Sequence, residues 1–256
     1  FGAGGNTTVN EVHGYTRNAF DPDRACGGSS GGSGVALACG MMPLCTGSDS
    51  GGSLRKPATF SGVSAIRPTT GLVPSDKRGV GFTNLSVQGP MARTAEDCAL
   101  MLSIMAGNDT ADPLSFNVDG ADYRTVPEID LTQLRVAISV DFGWAPVEHG
   151  IRDTFEKRLA RFQSIFKSCA RFDPNIENAL DVFWVLRGVQ FLASHLARYR
   201  QHRDQIGPNI VANVEAGLKM TSEEIAWAHG EHTRLYRQFQ TMFADYDVLI
   251  LSLIHI

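Results

Sequence analysis

An α/β fold is what this 256-residue sequence predicts, on three observations. Short apolar runs bounded by turn residues read as buried strands, the clearest being Arg135-Val136-Ala137-Ile138-Ser139-Val140, which is ended by Asp141 and Gly143. Apolar residues at helical spacing, Ile151, Phe155, Leu159, Phe162 and Phe166, predict an amphipathic helix over 151–168. Helices and strands then alternate, the pattern of a largely buried sheet with helices packed on it.

The remaining elements follow in chain order. The first ninety residues are rich in Gly, Ser, Thr and Pro, and read as loops laid over a packed scaffold, where catalytic backbone commonly sits. Residues 35–38 are a short apolar, helix-like exception. At Thr94 a cap is followed three residues later by Asp97, and Leu100, Leu102, Ile104 and Met105 precede Gly107 as a stop. Thr221 and Glu224 form a capping box ahead of Ile225, Ala228, Leu235, Phe239 and Phe243, giving a long helix that feeds a strand beginning near Asp247. Neither end reads as a natural terminus. Phe1 opens the chain, and the apolar run at 248–251 meets no turn signal, so the sequence is expected to be a piece of a longer one.

Composition narrows the function. A net charge of −4 and a pI near 6.0 argue against nucleic-acid or anionic-membrane surfaces, which are met by clustered Lys and Arg. No apolar run approaches the length of a membrane span. Cys26, Cys39, Cys45, Cys98 and Cys169 are an odd set without CxxC spacing, so reduced, packed thiols are expected, with no metal and no cofactor. The expected partner is a small molecule and the expected compartment is the cytoplasm. A homodimer is the one assembly left open.

Two segments carry the chemistry: GGSSGGSG at 27–34 and GSDSGGSLRKP at 47–57. A linker reading fails because linkers are uniformly polar, whereas these segments are joined by the apolar 35–38 and followed by Ala65-Ile66. A phosphate-binding loop would end in Gly-Lys-Ser/Thr, which is absent. A histidine-dependent serine hydrolase is the third rival, since 28–32 fits G-x-S-x-G and Asp49-Ser50-Gly51-Gly52 echoes the chymotrypsin-like nucleophile segment. None of His13, His149, His195, His202, His229, His232 and His255 sits in a catalytic-base context.

The run GGSSGGSGVALACGMMPLCTGSDSGGSLRKPATFSGVSAIRPTTGLVP, with Asn10-Glu11-Val12-His13-Gly14-Tyr15-Thr16-Arg17-Asn18 upstream and Gly89-Pro90-Met91-Ala92-Arg93-Thr94 downstream, resembles the amidase-signature family. The likeness is strong over 1–107, the signature core, and is one of layout over 108–256, a variable helical region with a following strand. It implies one partial amidase-signature domain with a central mixed β-sheet flanked by helices on both faces. It also implies an amidase acting on the C–N bond of a linear amide through a Ser-cisSer-Lys trio. By position in the motif the nucleophile falls on Ser53 and the cis serine on Ser29, twenty-four residues earlier, after Gly28. Backbone N–H groups of Ser50, Gly51 and Gly52 would form the oxyanion hole, with Ser30, Asp49 and Arg55 in support.

The family's lysine lies upstream of the first serine, before this chain begins, and Lys56, Lys77, Lys157, Lys167 and Lys219 do not occupy its context. Lys56 reads as a solvent-facing neighbour of Pro57. The chain alone is therefore expected to be inactive. Trp144, Trp184 and Trp227 are candidates for an acyl pocket, although helical aromatics are more often core. Residues 252–256 depart from the family's proline-bearing continuation and carry no expected function. Alternatives are the glutaminase-type subunit of a transfer-RNA amidotransferase, which shares the core, and a non-catalytic scaffold.

Overall fold

In a computed structural model, which describes residues 7–252, the strands and helices do alternate as an α/β chain. The last four residues of the unusual tail, His255 among them, lie outside the described residues. The contacts divide the chain into two compact units. Unit 1 runs to Pro127 and adds Ala193–Ala212, and unit 2 holds Glu128–Leu192 and resumes at Asn213. The boundary drawn by family likeness at 107 falls inside unit 1.

Unit 1 begins with a two-residue hairpin, β1 (Val9–Asn10) and β2 (Gly14–Tyr15). Its centre is an antiparallel sheet in the order β3-β5-β4, formed by β3 (Leu44–Asp49), β4 (Ser64–Ala65) and β5 (Val87–Ala92). β5 lies between the other two and is almost wholly buried. Helices α1 (Gly31–Ala38) and α2 (Arg55–Ser61) pack on this sheet through Leu37, Leu54, Ala58 and Met91. α3 (Ala95–Met105) is capped by Thr94, whose hydroxyl accepts from the Asp97 N–H, and it buries Leu102 against Leu72 and Val73.

Unit 2 is built on a parallel sheet, β7-β6-β8, of β6 (Arg135–Ser139), β7 (Ser168–Arg171) and β8 (Val248–Leu251). α4 (His149–Phe162) covers it through Leu159, Phe155 and Phe162, which meet Val136 and Ile138. This helix stops short of the expected 168. A 3-10 turn follows at Gln163–Ile165, and Phe166 has extended backbone while remaining in the same apolar cluster, its ring edge-on to Phe162. The apolar stripe outlasts the helix because its last member enters the core from the approach to β7. α5 (Ala179–His202) and α6 (Pro208–Leu218) each contribute residues to both units. α7 (Ser222–Asp245) carries the full capping box of Thr221 and Glu224. No described helix is long and apolar enough to cross a membrane.

Candidate active site

The first serine segment is half loop and half helix. Ser30 occupies the N-cap position of α1, so the GGSSGGSG run turns helical at Gly31. The peptide bond between Gly28 and Ser29 is cis. Just before it, Gly27 has φ +75° and lies against the Pro57 backbone, where a Cβ would come within 3.1 Å of the Pro57 nitrogen, so only glycine fits. The Gly27 carbonyl accepts from the buried Thr8 hydroxyl at 2.8 Å and from the Cys26 thiol at 3.2 Å. Burial pushes the Cys26 thiol up, against the lowering effect of its Thr8 hydrogen bond, so this cysteine is no rival nucleophile.

The second segment is organised by Asp49, which ends β3 and is fully buried. Its carboxylate accepts from the N–H groups of Gly52 at 2.7 Å, Leu54 at 3.2 Å and Arg55 at 3.5 Å. Arg55 closes a two-bond fork on it, Nε to Oδ2 at 2.9 Å and a terminal nitrogen to Oδ1 at 3.0 Å. Arg67 adds a second cation at 3.5 Å. Burial by itself would raise the Asp49 pKa. The Arg55 hydrogen bonds and charge, the Gly52 N–H and the Arg67 charge outweigh burial and hold it below the ordinary carboxylate value. Asp49 therefore stays ionised and fixes the turn from β3 through Ser53 into α2.

The two segments meet. The N–H of Ser30 donates to the Ser53 carbonyl at 3.3 Å, and the Ser30 hydroxyl bridges Ser48, accepting from its N–H at 3.2 Å and lying 3.4 Å from its carbonyl. Ser33 donates to the Thr46 carbonyl at 2.9 Å, so the Ser30 and Ser33 hydroxyls both serve backbone groups of β3. Ser29, Ser50, Gly51 and Ser53 are half-buried, while Gly28 and Gly52 are buried.

One expected donor needs correction. The Gly52 N–H is committed to Asp49, because the loop turns back on the carboxylate within three residues and Gly52 adopts φ +101°. Among the described residues the N–H groups of Ser50 and Gly51 have no protein acceptor. Lys56 is half-buried in the first turn of α2 rather than solvent-facing. Thr8 and Arg67 were not anticipated. Arg67 follows the apolar Ala65-Ile66, and an arginine there is the one signal that a buried acid waits for it.

The three tryptophans are not core: Trp144 is 54 % exposed, Trp184 51 % and Trp227 43 %. Trp144 lines a shallow cleft of about 520 Å³ formed by residues 141–152 of unit 2, which contains none of the serines.

Similarity to known proteins agrees with this geometry. The family model for Amidase matches residues 2–254. An acylamidase of Rhodococcus erythropolis is 32% identical over 245 residues, covering 95% of this chain and 51% of that protein. A glutamyl-tRNA(Gln) amidotransferase subunit of Caldanaerobacter subterraneus subsp. tengcongensis is 34% identical over 196 residues, covering 76% of this chain and 40% of the relative. The crystal structure of a bacterial aryl acylamidase of the amidase signature family superposes with a TM-score of 0.84 at 25% identity, covering 96% of this chain and 53% of that one. The chain thus spans about half the length of the relatives it matches. With the glycine-serine bed, the cis bond before Ser29 and a family match over nearly every residue, the chain belongs to the amidase signature family of hydrolases.

Proposed function

We propose that this chain supplies the nucleophile and proton relay of an amidase that cleaves the C–N bond of a linear amide. Ser53 Oγ attacks the carbonyl carbon and gives its proton to Ser29 Oγ, whose own proton passes to a lysine that the family resemblance locates upstream of Phe1. The oxyanion is held by the N–H groups of Ser50 and Gly51, each worth about 2.7–4 kcal/mol in the transition state. Collapse breaks the C–N bond, and the amine leaves with a proton returned through Ser29. Water then attacks the acyl-Ser53 ester, its proton taking the same relay, and releases the carboxylate and free Ser53.

The observation that carries this reading is the hydrogen bond from Ser30 N–H to the Ser53 carbonyl, which ties the residue after Ser29 to the nucleophile itself. Steady-state hydrolysis of simple acylamides by a longer polypeptide carrying the upstream lysine tests it. Ser53→Ala is expected to abolish turnover and Ser29→Ala to lower kcat by about 10²–10⁴-fold; full activity in Ser53→Ala contradicts the reading. The 256-residue chain alone is inactive on this account. Hydrolysis by it that is lost in Lys56→Ala would move the base to Lys56 instead.

A second reading, the glutaminase-type subunit of a transfer-RNA amidotransferase, draws on the 34% identity to one such protein. That match covers 76% of the chain against 95% for the acylamidase, which favours the free-standing amidase. Co-purification with partner subunits would reverse the preference.

A further inference from the structure

Arg187 in α5 is a half-buried cation with no acid among the described residues to balance it. One helix face places Phe183 four residues before it, Trp184 three before and Phe191 four after. Its guanidinium lies 5.8 Å, 5.9 Å and 4.6 Å from their ring centroids. The orientation is fixed from α6, because Asn213 Oδ1 accepts from Arg187 Nε at 2.8 Å. α6 comes that close because glycines line the crossing. A Cβ on Gly188 would lie 3.3 Å from the Gly217 Cα, and one on Gly217 would lie 2.9 Å from the Gly188 carbonyl oxygen.

The outer edge of the guanidinium is unused. Among the described residues, the buried side-chain nitrogen and oxygen atoms without a partner are Ser61 Oγ and one Arg78 nitrogen. Arg187's two terminal nitrogens are not among them and make no hydrogen bond to the described residues, so they reach solvent. Burial holds the Arg187 pKa below the ordinary arginine value, and no neighbouring carboxylate acts to raise it. Ring faces offset part of the cost of withdrawing a cation from water, yet the two-pronged edge, which matches a carboxylate in shape and charge, is left open. Beside it, Trp184 keeps half of its surface exposed.

We propose that Arg187, oriented by Asn213 and flanked by Trp184, binds a carboxylate carried on a flat apolar body. The carboxylate oxygens take the paired terminal N–H groups, and the apolar body lies along the indole. The site is independent of the Ser53 reading, so a binding measurement alone decides it.

Calorimetric titration of the protein with benzoate, benzamide and inorganic phosphate supplies the test. Saturable one-site benzoate binding is expected, with benzamide, which lacks the charge, and phosphate, which lacks the ring, each at least about tenfold weaker. Arg187→Met is expected to weaken benzoate about tenfold or more, with helicity unchanged by circular dichroism. Equal affinity in Arg187→Met, or no saturable benzoate binding to the folded wild type, overturns the proposal. Should Arg187→Met fail to fold, Arg187→Lys decides: a severalfold loss supports the fork, and unchanged affinity refutes it.

Discussion

Asp49 in unit 1 and Asp247 in unit 2 both clamp an arginine at the end of a strand, and they do so for different ends. Asp49 is fully buried and gathers Arg55, Arg67 and three backbone N–H groups. Around it residues 47–53 are otherwise glycine and serine, and Leu54 is the first side chain after them to enter the apolar cluster. Asp247 has a side chain 36% exposed, and it binds Arg135 through the backbone N–H at 2.8 Å and the guanidinium at 2.7 Å. Beside it the parallel sheet is already held by Val136, Ile138 and Leu159. In the Ser50–Ser53 loop of unit 1 a buried carboxylate does the work that apolar packing does along the sheet of unit 2. That substitution leaves room for small residues and free N–H groups where chemistry needs them.

Removing the hub should therefore cost most. Asp49→Ala strands two cations and three N–H groups, and about 3–5 kcal/mol of unfolding free energy should go, read by urea denaturation, together with reactivity at Ser53. Ile138→Ala should cost about 2–5 kcal/mol through the cavity it opens in unit 2, while the labelling proposed for Ser53, read in a polypeptide that carries the upstream lysine, is expected to persist in the folded fraction. Equal loss of reactivity in the two variants would erase the distinction between the regions.

Gly31→Ala sharpens the picture at the first segment. The new Cβ would meet the Thr8 hydroxyl at 2.3 Å and the Cys26 sulfur at 2.6 Å, both of which hold the Gly27 carbonyl. Overpacking of this kind costs about 1–3 kcal/mol, and the thermal midpoint should fall accordingly. The smallest effect is expected at Asp247. Arg135 holds its pKa down, from the ordinary 3.8 to about 2, through side-chain and backbone hydrogen bonds. A depressed folded-state pKa contributes stability above the unfolded value and loses it as pH falls through the folded one. Asp247→Asn should thus flatten the stability change between pH 3.8 and about 2 by slightly lowering stability above that window, an exposed pair being worth little, and leave the value below pH 2 unaltered.

Legibility in the sequence tracks how local the cause is. The caps at Thr94 and Thr221 were readable because donor and acceptor lie three residues apart, and β6 was readable from one apolar run. α5 was not, since Val182, Phe183, Trp184, Val185 and Leu186 are consecutive apolar residues that mask any period, and Asn178 before it offers left-handed backbone rather than a cap. α2 is seven residues long, too short for a periodic signal. At the site, the glycine-serine motif pointed to both serine segments, and the Arg55 contact lies within six residues of Asp49. Arg67 and Thr8 belong to contacts 18 and 19 residues long in chain separation, formed only when the sheet and loops assemble. The Gly52 N–H was assigned to a ligand although the acid three residues earlier competes for it.

The most direct measurement of the central claim is labelling of a polypeptide that carries the proposed upstream lysine with a fluorophosphonate, followed by peptide mapping. The account predicts one adduct, on Ser53, absent in Ser53→Ala and formed more slowly in Ser29→Ala. A folded protein that takes no label, or takes it on another residue with Ser53 untouched, contradicts it.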